Sequence, residues 1–414
     1  MSRATHALVG FSKSLMADLD RLLPAGSVVV LEDPDVIKAR DVQRRLAFHP
    51  STAFLREALI QDVADPADIL RVAGARGDID VVIPGVEYGV AAAAVLASAW
   101  GLPGAGPSAA RIFCDKIALR EHADAAGLPQ PRWQVATGPD DVAAFRGARG
   151  RCVLKPANRQ ASLGVQVLTD DDDPATAWAE TVSVQEKRQR ARRSPPVRHL
   201  IEEYLAGPEV SAECLVESGL VVFANVTAKR VHGGPWPVEL GHVVPAPLPS
   251  GLTARIAGLM SVLATSAGFG TGILHAEWIL LDGARPHLVE CAARMPGDSI
   301  TELIDVAYGG SVASDLVSLL GGSGVSSRGT PACGAAIRFL TCRPGVVGNV
   351  CGVDLARQAE GVREVAVTVA AGDTVTPLRS SFDRVGHVIA TGPTGPDAEA
   401  RAARAAALIM IGTR

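Results

Sequence analysis

In the first 110 residues, short apolar runs alternate with stretches whose apolar positions recur at helical spacing. Ala7–Gly10 and Ser27–Leu31 predict strands, and Lys13–Leu23 predicts a helix between them. Further along, Ile79–Ile83 predicts a strand and Val90–Trp100 predicts an Ala-rich helix. This alternation predicts an open parallel sheet with helices on both faces. Such a sheet binds ligands at the carboxyl ends of its strands.

The pattern changes after about residue 110. A helix is predicted over Ala109–Ala126, because Gly127 and two nearby prolines end the pattern. Strands are then predicted over Arg151–Lys155 and Val165–Leu168, on either side of a loop of small residues, Pro156–Gly164. These elements predict a small central subdomain over residues 111–203.

From about residue 199 the apolar runs lengthen and predict an antiparallel sheet with flanking helices. The predicted strands are His199–Tyr204, Glu209–Val216, Leu220–Thr227, Gly272–Leu281 and Pro286–Ala292, and the predicted helices are Gly251–Ala267 and Ser299–Leu320. A smaller α/β piece follows from about residue 333. Its predicted strands and helix are Ala335–Leu340, Val362–Val369, His387–Thr391 and Asp397–Ile411. We therefore expect an α/β protein, α+β in its central part, with domains over residues 1–110, 111–203 and 204–414.

Composition narrows the class of protein. A chain of 414 residues is too long for one ordinary core and is expected to form two to four domains or subdomains. Hydrophobic residues make up 48% and charged residues 20%, which is typical of a globular protein with ample core. The formal net charge of −4 gives no support for binding to nucleic acid or a membrane surface. We expect neither as a partner.

Cysteine usage and the apolar runs bear on the compartment. The seven cysteines occur singly, without a CxxC pair, which is typical of reduced thiols and not of disulfides or a zinc site. The first residues lack the apolar core of a signal peptide. The longest apolar run, Val90–Trp100, is far shorter than the about 20 residues of a membrane span. We expect a cytoplasmic protein.

The segment 274–298 carries the clearest chemistry and reads LHAEWILLDGARPHLVECAARMPGD. It predicts two strands joined by a tight turn, with Glu277 on the first, Glu290 on the second and Arg294 just beyond. A lone carboxylate in an apolar strand is costly unless it is paired or bound to a metal. Two of them on neighbouring strands, beside a guanidinium, predict a site for Mg²⁺ and the phosphates of a nucleotide.

Two further segments carry groups suited to a nucleotide. Lys155 ends an apolar strand, where it either extends its charge to the edge or neutralises an anion. In the loop that follows, Ser162 and Gly164 are small enough for backbone N–H groups to approach phosphate oxygens. The segment 200–213, LIEEYLAGPEVSAE, has three acids near strand ends. Strand ends of this type can offer backbone groups to a purine and a carboxylate to ribose hydroxyls.

Three other features are less specific. The turn at residues 9–14, VGFSKS, has one glycine where a dinucleotide fingerprint needs three, so we exclude an NAD site. Asp170–Asp173 precedes a proline and is typical of a turn and helix cap and not of a metal site. The basic run Gln185–Arg193 indicates a solvated helix face or loose loop, or alternatively a phosphate-attracting flap over an active site.

Taken in order, these segments resemble the ATP-grasp superfamily over nearly the whole chain. The matching pieces are the DK pair at Asp115-Lys116, the GLPQP that follows, LKP with its small-residue loop, EEYLAGPE at Glu202–Glu209, and the two-Glu strand pair that closes with Arg294. Five pieces in this order and spacing are specific, although each alone is weak. The resemblance implies an ATP-grasp fold, with an N-terminal Rossmann-like domain, a small ATP-lid subdomain and a C-terminal antiparallel-sheet domain.

The resemblance also implies an ATP site. The residues implied to bind ATP are Lys116, Lys155, Ser162, Gly164, Glu202, Glu203, Leu205 and Glu209. The two lysines would contact the phosphates, and the loop at 160–164 would fold over them. The stretch 202–205 would bind adenine, and the acid at 209 would hold the ribose.

The metal and acyl end of the site is implied in the same way. Glu277 and Glu290 would bind two Mg²⁺, with Mn²⁺ as an alternative ion, and Arg294 would neutralise the transferred phosphoryl group or an acyl phosphate. Many members have an Asn metal ligand where this chain has Ala292. The variant ECAARMPGD is closer to the branch that resembles L-amino-acid and dipeptide ligases.

Substrate contacts are expected beside these residues. Glu87, at the predicted ligand edge of the first domain, either binds a substrate ammonium or is an acid favoured at a helix start. Lys229 and Gly297 are further candidates, together with Arg294. His275 alternates with Glu277 on one strand face, so we count it with Lys155 and Arg294 as catalytic.

The leading hypothesis is an ADP-forming ligase that joins an amino acid to another amino acid or a small amine. Its partners would be these small molecules, and a homodimer through the first domain would follow by analogy. A carboxylase or formate-transferring enzyme of purine-type metabolism is an alternative within the superfamily. A nucleotide-binding regulatory protein without turnover is an alternative from another class.

Overall fold

Four parallel strands form an N-terminal sheet in the computed structural model, which describes residues 4–62, 66–186, 189–326 and 328–414. The strands are β1 (His6–Val9), β2 (Val28–Glu32), β3 (Thr52–Glu57) and β4 (Val81–Pro84), in the order β3-β2-β1-β4. The helices are α1 (Lys13–Leu22), α2 (Pro34–Arg40), α3 (Val42–Leu46), α4 (Ala67–Ala73) and α5 (Val90–Trp100). Sequence patterning missed β3, because this edge strand is only partly buried on either face.

A second, antiparallel sheet lies within residues 133–203. The helices α6 (Pro107–Phe113) and α7 (Lys116–Ala125) precede this sheet. Its own part of the chain contains β5 (Trp133–Ala136), α8 (Pro139–Arg149), β6 (Cys152–Pro156), β7 (Gln166–Leu168), α9 (Pro174–Ser183) and β8 (His199–Glu203). The strand order is β5-β8-β6-β7. We call these four strands with α8 and α9 the lid.

The third sheet is the largest, with eight strands in the order β13-β12-β9-β10-β11-β14-β18-β16. Its first part contains β9 (Glu209–Glu217), β10 (Leu220–Val231), β11 (Glu239–Val244), α10 (Ser250–Ser266), β12 (Gly272–Leu281), β13 (Arg285–Ala292), α11 (Ile300–Tyr308) and α12 (Val312–Leu320). The second part contains β14 (Gly334–Leu340), β15 (Gly345–Cys351), α13 (Val353–Gln358), β16 (Val362–Val367), β17 (Thr374–Val375), β18 (Gly386–Gly392), α14 (Gly395–Ala407) and β19 (Met410–Thr413). We call the eight strands the central sheet.

The small C-terminal piece is continuous with the central sheet, since β14, β16 and β18 are three of its eight strands. Only β17, β15 and β19 form a separate small sheet. Each sheet falls within one of the predicted ranges 1–110, 111–203 and 204–414, and the boundaries themselves stay predictions.

Three predicted helices differ from the structure. The helix predicted over Ala109–Ala126 is two helices, because the Asp115 carboxylate accepts hydrogen bonds from the backbone N–H groups of Ile117 and Ala118 and starts α7 anew. The helix predicted over Ser299–Leu320 is also two, α11 and α12, which bend by 99° at a break containing two glycines. The last predicted helix ends at Ala407, and the residues after it form β19.

One apolar core joins the first and third sheets. Helix α12 contacts β4 of the N-terminal sheet and β12 of the central sheet. Its buried residues Leu316 and Leu320 belong to the same cluster as Leu8 and Ile273. This packing turns the carboxyl edge of the parallel sheet toward the end of the central sheet that carries β12 and β13.

No single helix in the described ranges has both the length and the apolar composition of a membrane span. The bent pair α11 and α12 passes that test together, by length and composition only. All seven cysteine thiols are free.

A buried acid in the N-terminal domain predicts a pH effect on stability. Burial, followed by the charges of Glu32 and Asp35, raises the pKa of Asp33 to about 7. Because the folded pKa exceeds the unfolded value of about 3.9, this acid destabilises the folded state increasingly as the pH rises from 4 to 7. Asp33→Asn should therefore stabilise the protein by about 2 kcal/mol more at pH 8 than at pH 5, by urea unfolding. An equal change in unfolding free energy at both pH values would contradict this assignment.

Candidate active site

A cavity of about 640 Å³ separates the lid from the central sheet. Its volume lies in the range of small-molecule sites. All of the predicted site residues line it except Gly164 and Glu87. Gly164 belongs to the loop that covers the cavity, and Glu87 contacts it through Arg294. The segments selected from the sequence, which are up to 207 residues apart, are therefore brought together.

Glu277 and Glu290 are directly opposed in the pairing of β12 with β13. Opposed residues point to the same face, so two like charges lie side by side, which is unfavourable without a cation. Lys229 Nζ is 2.6 Å from Glu277 Oε1, and Lys116 Nζ is 3.0 Å from Glu290 Oε2. Burial opposes the charge of Lys116, but Glu290 outweighs it and raises the pKa of the lysine.

This carboxylate pair suits a hard cation that also binds phosphate. Among the residues that the structure describes, no group of three or more His, Cys, Asp or Glu is arranged as a metal site. Mg²⁺ in nucleotide sites takes one or two protein carboxylates and completes its shell with water and phosphate oxygens. Glu277 and Glu290, open to the cavity, fit that requirement.

Lys155 is held by a fully buried ion triad. Its Nζ is 2.7 Å from Glu202 Oε2, while Arg120 Nε is 2.6 Å from Glu202 Oε1. Arg120 also donates to the backbone carbonyls of Leu288 and Val289 on β13. Burial opposes ionisation of Glu202, but the two cations outweigh it and hold its pKa below the ordinary value. The side chain of Glu202 therefore positions Lys155 and ties the lid to the central sheet.

Removing the central charge of this triad should be severely destabilising. Glu202→Leu leaves two buried cations without a counter-charge, and we expect a loss of about 3–5 kcal/mol in unfolding free energy. Glu203→Leu is the matched control, since its carboxylate forms no ion pair with a described residue and it adjoins Glu202 on β8. The two variants are compared by urea unfolding at pH 7. Equal stability would mean that the triad does not hold the lid.

Lys229 lies among three carboxylates. Its Nζ is 2.5 Å from Glu209, 2.6 Å from Glu277 and 3.4 Å from Glu239, and its side chain is 1% exposed. Burial, which Lys229 offsets only in part, raises the pKa of Glu209 to about 7. Glu209, the predicted ribose ligand, and Lys229, a predicted substrate contact, are thus neighbours in one cluster of charged side chains.

His275 bridges two acids. Its Nδ1 is 3.0 Å from Glu213 Oε1, and its Nε2 is 3.6 Å from Glu277 Oε1. Burial disfavours the charged imidazole, but hydrogen bonds to the two acids prevail and raise its pKa to about 9. Since His275 lies between Glu213 and Glu277, its position is that of a group that orients the Glu277 carboxylate.

Arg294 connects the cavity with the N-terminal domain. Its Nε donates to Glu87 Oε2 at 2.7 Å, and its Nη1 donates to the carbonyl of Met295. Its Nη2 is 3.5 Å from Gln160 Oε1 in the lid. The Glu87 carboxylate is therefore a partner of Arg294. Gly297, another predicted substrate contact, lines the cavity three residues after Arg294.

The loop of small residues covers the cavity and contacts the C-terminal part of the chain. Ala161 and Ser162 have φ of 58° and 55°, and Gly164 has φ of 77°. These left-handed values turn the loop tightly. Ser162 Oγ donates to the carbonyl of Pro237 at 3.0 Å, and the backbone N–H of Ser381 donates to the carbonyl of Ala161 at 3.2 Å.

The acidic run Asp170–Asp173 and the basic run Gln185–Arg193 lie in different parts of the structure. Asp173 caps α9 by accepting a hydrogen bond from the backbone N–H of Thr176, which confirms the predicted turn and cap. Residues 187 and 188 of the basic run lie outside the described residues. None of the described residues of that run lines the main cavity. They contact the N-terminal domain, where the side chain of Gln61 donates to the carbonyl of Gln189.

Sequence reasoning missed several polar groups of the site. Arg120 follows Ile117 and precedes Ala123 at intervals of three, and all three are buried. A cation on the apolar face of a helix could have indicated a buried ion pair at Arg120. Glu213 lies inside apolar β9 and accepts hydrogen bonds from Ser211, Asn225 and Thr227. Like Glu277, this acid lies inside an apolar strand, where a carboxylate needs a partner.

Asp298 was missed for a different reason. It accepts two hydrogen bonds from Arg384, at 2.7 and 2.6 Å, and lies 3.3 Å from His242 Nε2. Burial opposes its charge, but these partners hold its pKa well below the ordinary range. Arg384 comes from the C-terminal part of the chain, 86 residues away, so no local pattern could reveal the pair.

Two families match the chain. Residues 149–302 match the ATP-grasp domain, and residues 338–414 match the L-amino acid ligase C-terminal domain 2. The chain contains an ATP-grasp domain. Its C-terminal match is to the branch of L-amino acid ligases, so the family and fold inferred from the sequence are confirmed.

Curated relatives of this ATP-grasp protein include both unassigned proteins and ligases. The uncharacterized protein y4rH of Sinorhizobium fredii is 25% identical over 94% of this chain and 83% of its own length. A D-alanine–D-alanine ligase of Synechococcus sp. is 29% identical over 50% of this chain and 66% of its own length.

Solved structures resemble the whole chain. The L-amino acid ligase from Bacillus licheniformis superimposes with a TM-score of 0.79 at 16% identity, over all of both chains. A phosphoribosylglycinamide synthetase from Anaerococcus prevotii gives a TM-score of 0.70 at 15% identity, also over all of both chains. At these identities the likeness is one of fold.

Proposed function

We propose that this ATP-grasp protein is an ADP-forming carboxylate–amine ligase that joins an amino acid to a second amino acid or small amine. One observation carries the proposal. Two lysines, two opposed carboxylates and an arginine converge on a single cavity: Lys116, Lys155, Glu277, Glu290 and Arg294. This set supplies the cations and metal ligands that phosphoryl transfer requires.

The chemistry follows from the poor reactivity of a carboxylate, whose leaving group would be oxide. A carboxylate oxygen of the first substrate attacks the γ-phosphorus of ATP, the bond to ADP breaks, and an acyl phosphate forms. The amine of the second substrate then attacks the acyl carbon, phosphate leaves, and the amine loses a proton. Mg²⁺ held by Glu277 and Glu290 would neutralise charge on the phosphates.

The side chains of the cavity stabilise the charges that develop during both steps. Lys116 and Lys155 stabilise negative charge that grows on the phosphoryl oxygens, from sites fixed by Glu290 and Glu202. Arg294, oriented by Glu87, stabilises the acyl phosphate. The loop with Ser162 and Gly164 excludes water, which would otherwise hydrolyse the activated acyl group.

The test is a phosphate-release screen over pairs of amino acids and amines, followed by mass analysis of the products. We expect release only when an amino acid is present, and a product whose mass equals the sum of both substrates less one water. Stimulation by bicarbonate or formate in place of amino acids would favour the carboxylase or formate-transferring alternative. ATP binding without release for any pair would favour the regulatory alternative.

A further inference from the structure

A second cavity, of about 180 Å³, adjoins the main one. Its walls are the turn before α5, the loop Asn158–Gln160 and the described residues of the basic run. Arg159 and Gln160 line both cavities, and Gln160 Oε1 is 3.5 Å from Arg294 Nη2. Its volume exceeds that of a cavity of about 150 Å³ that holds benzene. A small molecule bound there would lie beside the acyl end of the proposed site.

Arg159 supplies the binding group of this cavity. It is 9% exposed, and its Nη1 donates to the carbonyl of Asn158 at 2.9 Å. Its Nε and Nη2 are buried and make no hydrogen bond within the described part of the chain. Leaving buried donors unsatisfied is costly. These two groups form one edge of the guanidinium, whose fork geometry matches a carboxylate.

The charges around Arg159 favour an anion. Glu186 Oε2 lies 3.4 Å from Arg159 Nε, a contact too poorly aligned to be a hydrogen bond. Arg190 lines the same cavity, and its Nε donates to Ser194 Oγ at 2.6 Å. Glu87 is already paired with Arg294. Arg111 and Asp115 also line the cavity, and Asp115 is paired with Arg198. Three guanidinium groups, those of Arg111, Arg159 and Arg190, therefore face a single acid, Glu186, that is not already paired with an arginine from outside the cavity. This leaves the cavity with a positive charge to neutralise.

Gln61, together with Asp35, fastens the wall of the cavity to the N-terminal domain; Asp35 accepts a hydrogen bond from the backbone N–H of Arg192 at 3.0 Å. Gln61 Nε2 donates to the carbonyl of Gln189 at 2.7 Å, and the backbone N–H of Ala191 donates to Gln61 Oε1 at 3.1 Å. Gln61 is 3% exposed. The Gln160 amide donates to Gln189 Oε1 at 2.7 Å, so the wall is also tied to the loop beside Arg294.

We infer that this cavity binds the carboxylate of the second, amine-bearing substrate through the Nε–Nη2 edge of Arg159. The inference rests on the proposed function and narrows it, because the acceptor is then an amino acid and not a simple amine. With its carboxylate on Arg159, the amine is directed along Gln160 toward Arg294. The apolar side chains of Ala91 and Pro195 leave room for a side chain.

The test is calorimetric binding to the full chain with MgADP present. The probes are the twenty standard L-amino acids and the carboxamide of each one that binds. We expect at least one amino acid to bind tenfold or more tightly than its carboxamide, and Arg159→Gln to abolish this preference. Glu186→Gln should tighten amino-acid binding severalfold, because the fork loses its internal competitor. A purely structural role of Arg159 predicts no such gain.

Arg192→Gln is the matched control in the same segment, since that side chain is 92% exposed, and it should keep the wild-type preference. Equal binding of acid and carboxamide would overturn the inference. So would a preference that survives in Arg159→Gln, or no binding of any amino acid to the wild type. If Arg159→Gln does not fold, an unchanged affinity in Glu186→Gln overturns it. Failure of the proposed function is distinct: no acid–amine pair releases phosphate, although the Arg159-dependent preference persists.

Discussion

Glu290→Ala should abolish ADP formation while the protein stays folded. Glu290 is one of the two opposed carboxylates and holds Lys116 at 3.0 Å, so its loss removes a proposed metal ligand and frees a phosphate-binding lysine. Removal of a single preorganised charge-stabilising group costs about 10²–10³ in kcat. A direct metal ligand should cost at least as much. The measurement is ADP release with the substrate pair that the screen identifies.

The fold is expected to survive because the Glu290 side chain is 33% exposed to the cavity. Lys116 keeps its hydrogen bond to the carbonyl of Arg159 at 2.8 Å. Glu121→Ala, an exposed acid on α7, is the matched control and should retain both activity and thermal midpoint. Wild-type ADP release by Glu290→Ala would refute the metal assignment.

Lys229→Met should destabilise the protein as strongly as Glu202→Leu. The substitution leaves Glu209, Glu239 and Glu277 without their common cation, and we expect a loss of about 3–5 kcal/mol in unfolding free energy. The loss should be greater at pH 8 than at pH 5, because crowded carboxylates take up protons more readily in the folded state. MgCl₂ should restore part of the stability, since a divalent cation can replace the ammonium beside Glu277.

The measurement is the unfolding free energy in urea, with and without MgCl₂, at both pH values. Arg230→Met is the matched control, because Arg230 is the next residue on β10 and its side chain is 52% exposed. Exposed ion pairs contribute about 0–1 kcal/mol. A Lys229→Met protein as stable as this control would show that the ammonium is not needed to hold the three acids.

The sequence predicted those site residues whose residue type is unusual for the local pattern around them. Glu277 and Glu290 stand out because a charge inside an apolar strand needs a partner. The pairing of β12 with β13 places them directly opposite each other, and it does so through a register shift between Glu277 and Trp278 that the sequence did not predict. Lys155 at a strand end and the small residues after it were visible for similar local reasons.

What each charge contacts depended on the packing of distant segments. Lys229, a predicted substrate contact, lines the cavity, and the sheet surrounds it with acids from β9, β11 and β12. Glu202, predicted to help bind adenine, has its carboxylate paired with Arg120, which reaches it from α7 across 82 residues. The partners of these side chains lie on other elements, 10 or more residues away in sequence. The residues next to a charged side chain therefore do not indicate which charge it will contact.

The sequence by itself therefore determined the alternation of elements, the ATP-grasp order of motifs and a set of site residues most of which line the cavity. These depend on periodicity and on residue types, which are local properties. Only the tertiary structure decided that Glu87 orients Arg294, that Glu202 positions Lys155, and that the basic run walls a second cavity beside Arg159. Those outcomes depend on which surfaces the shared core brings together, and Coulomb interactions act through space without regard to sequence distance.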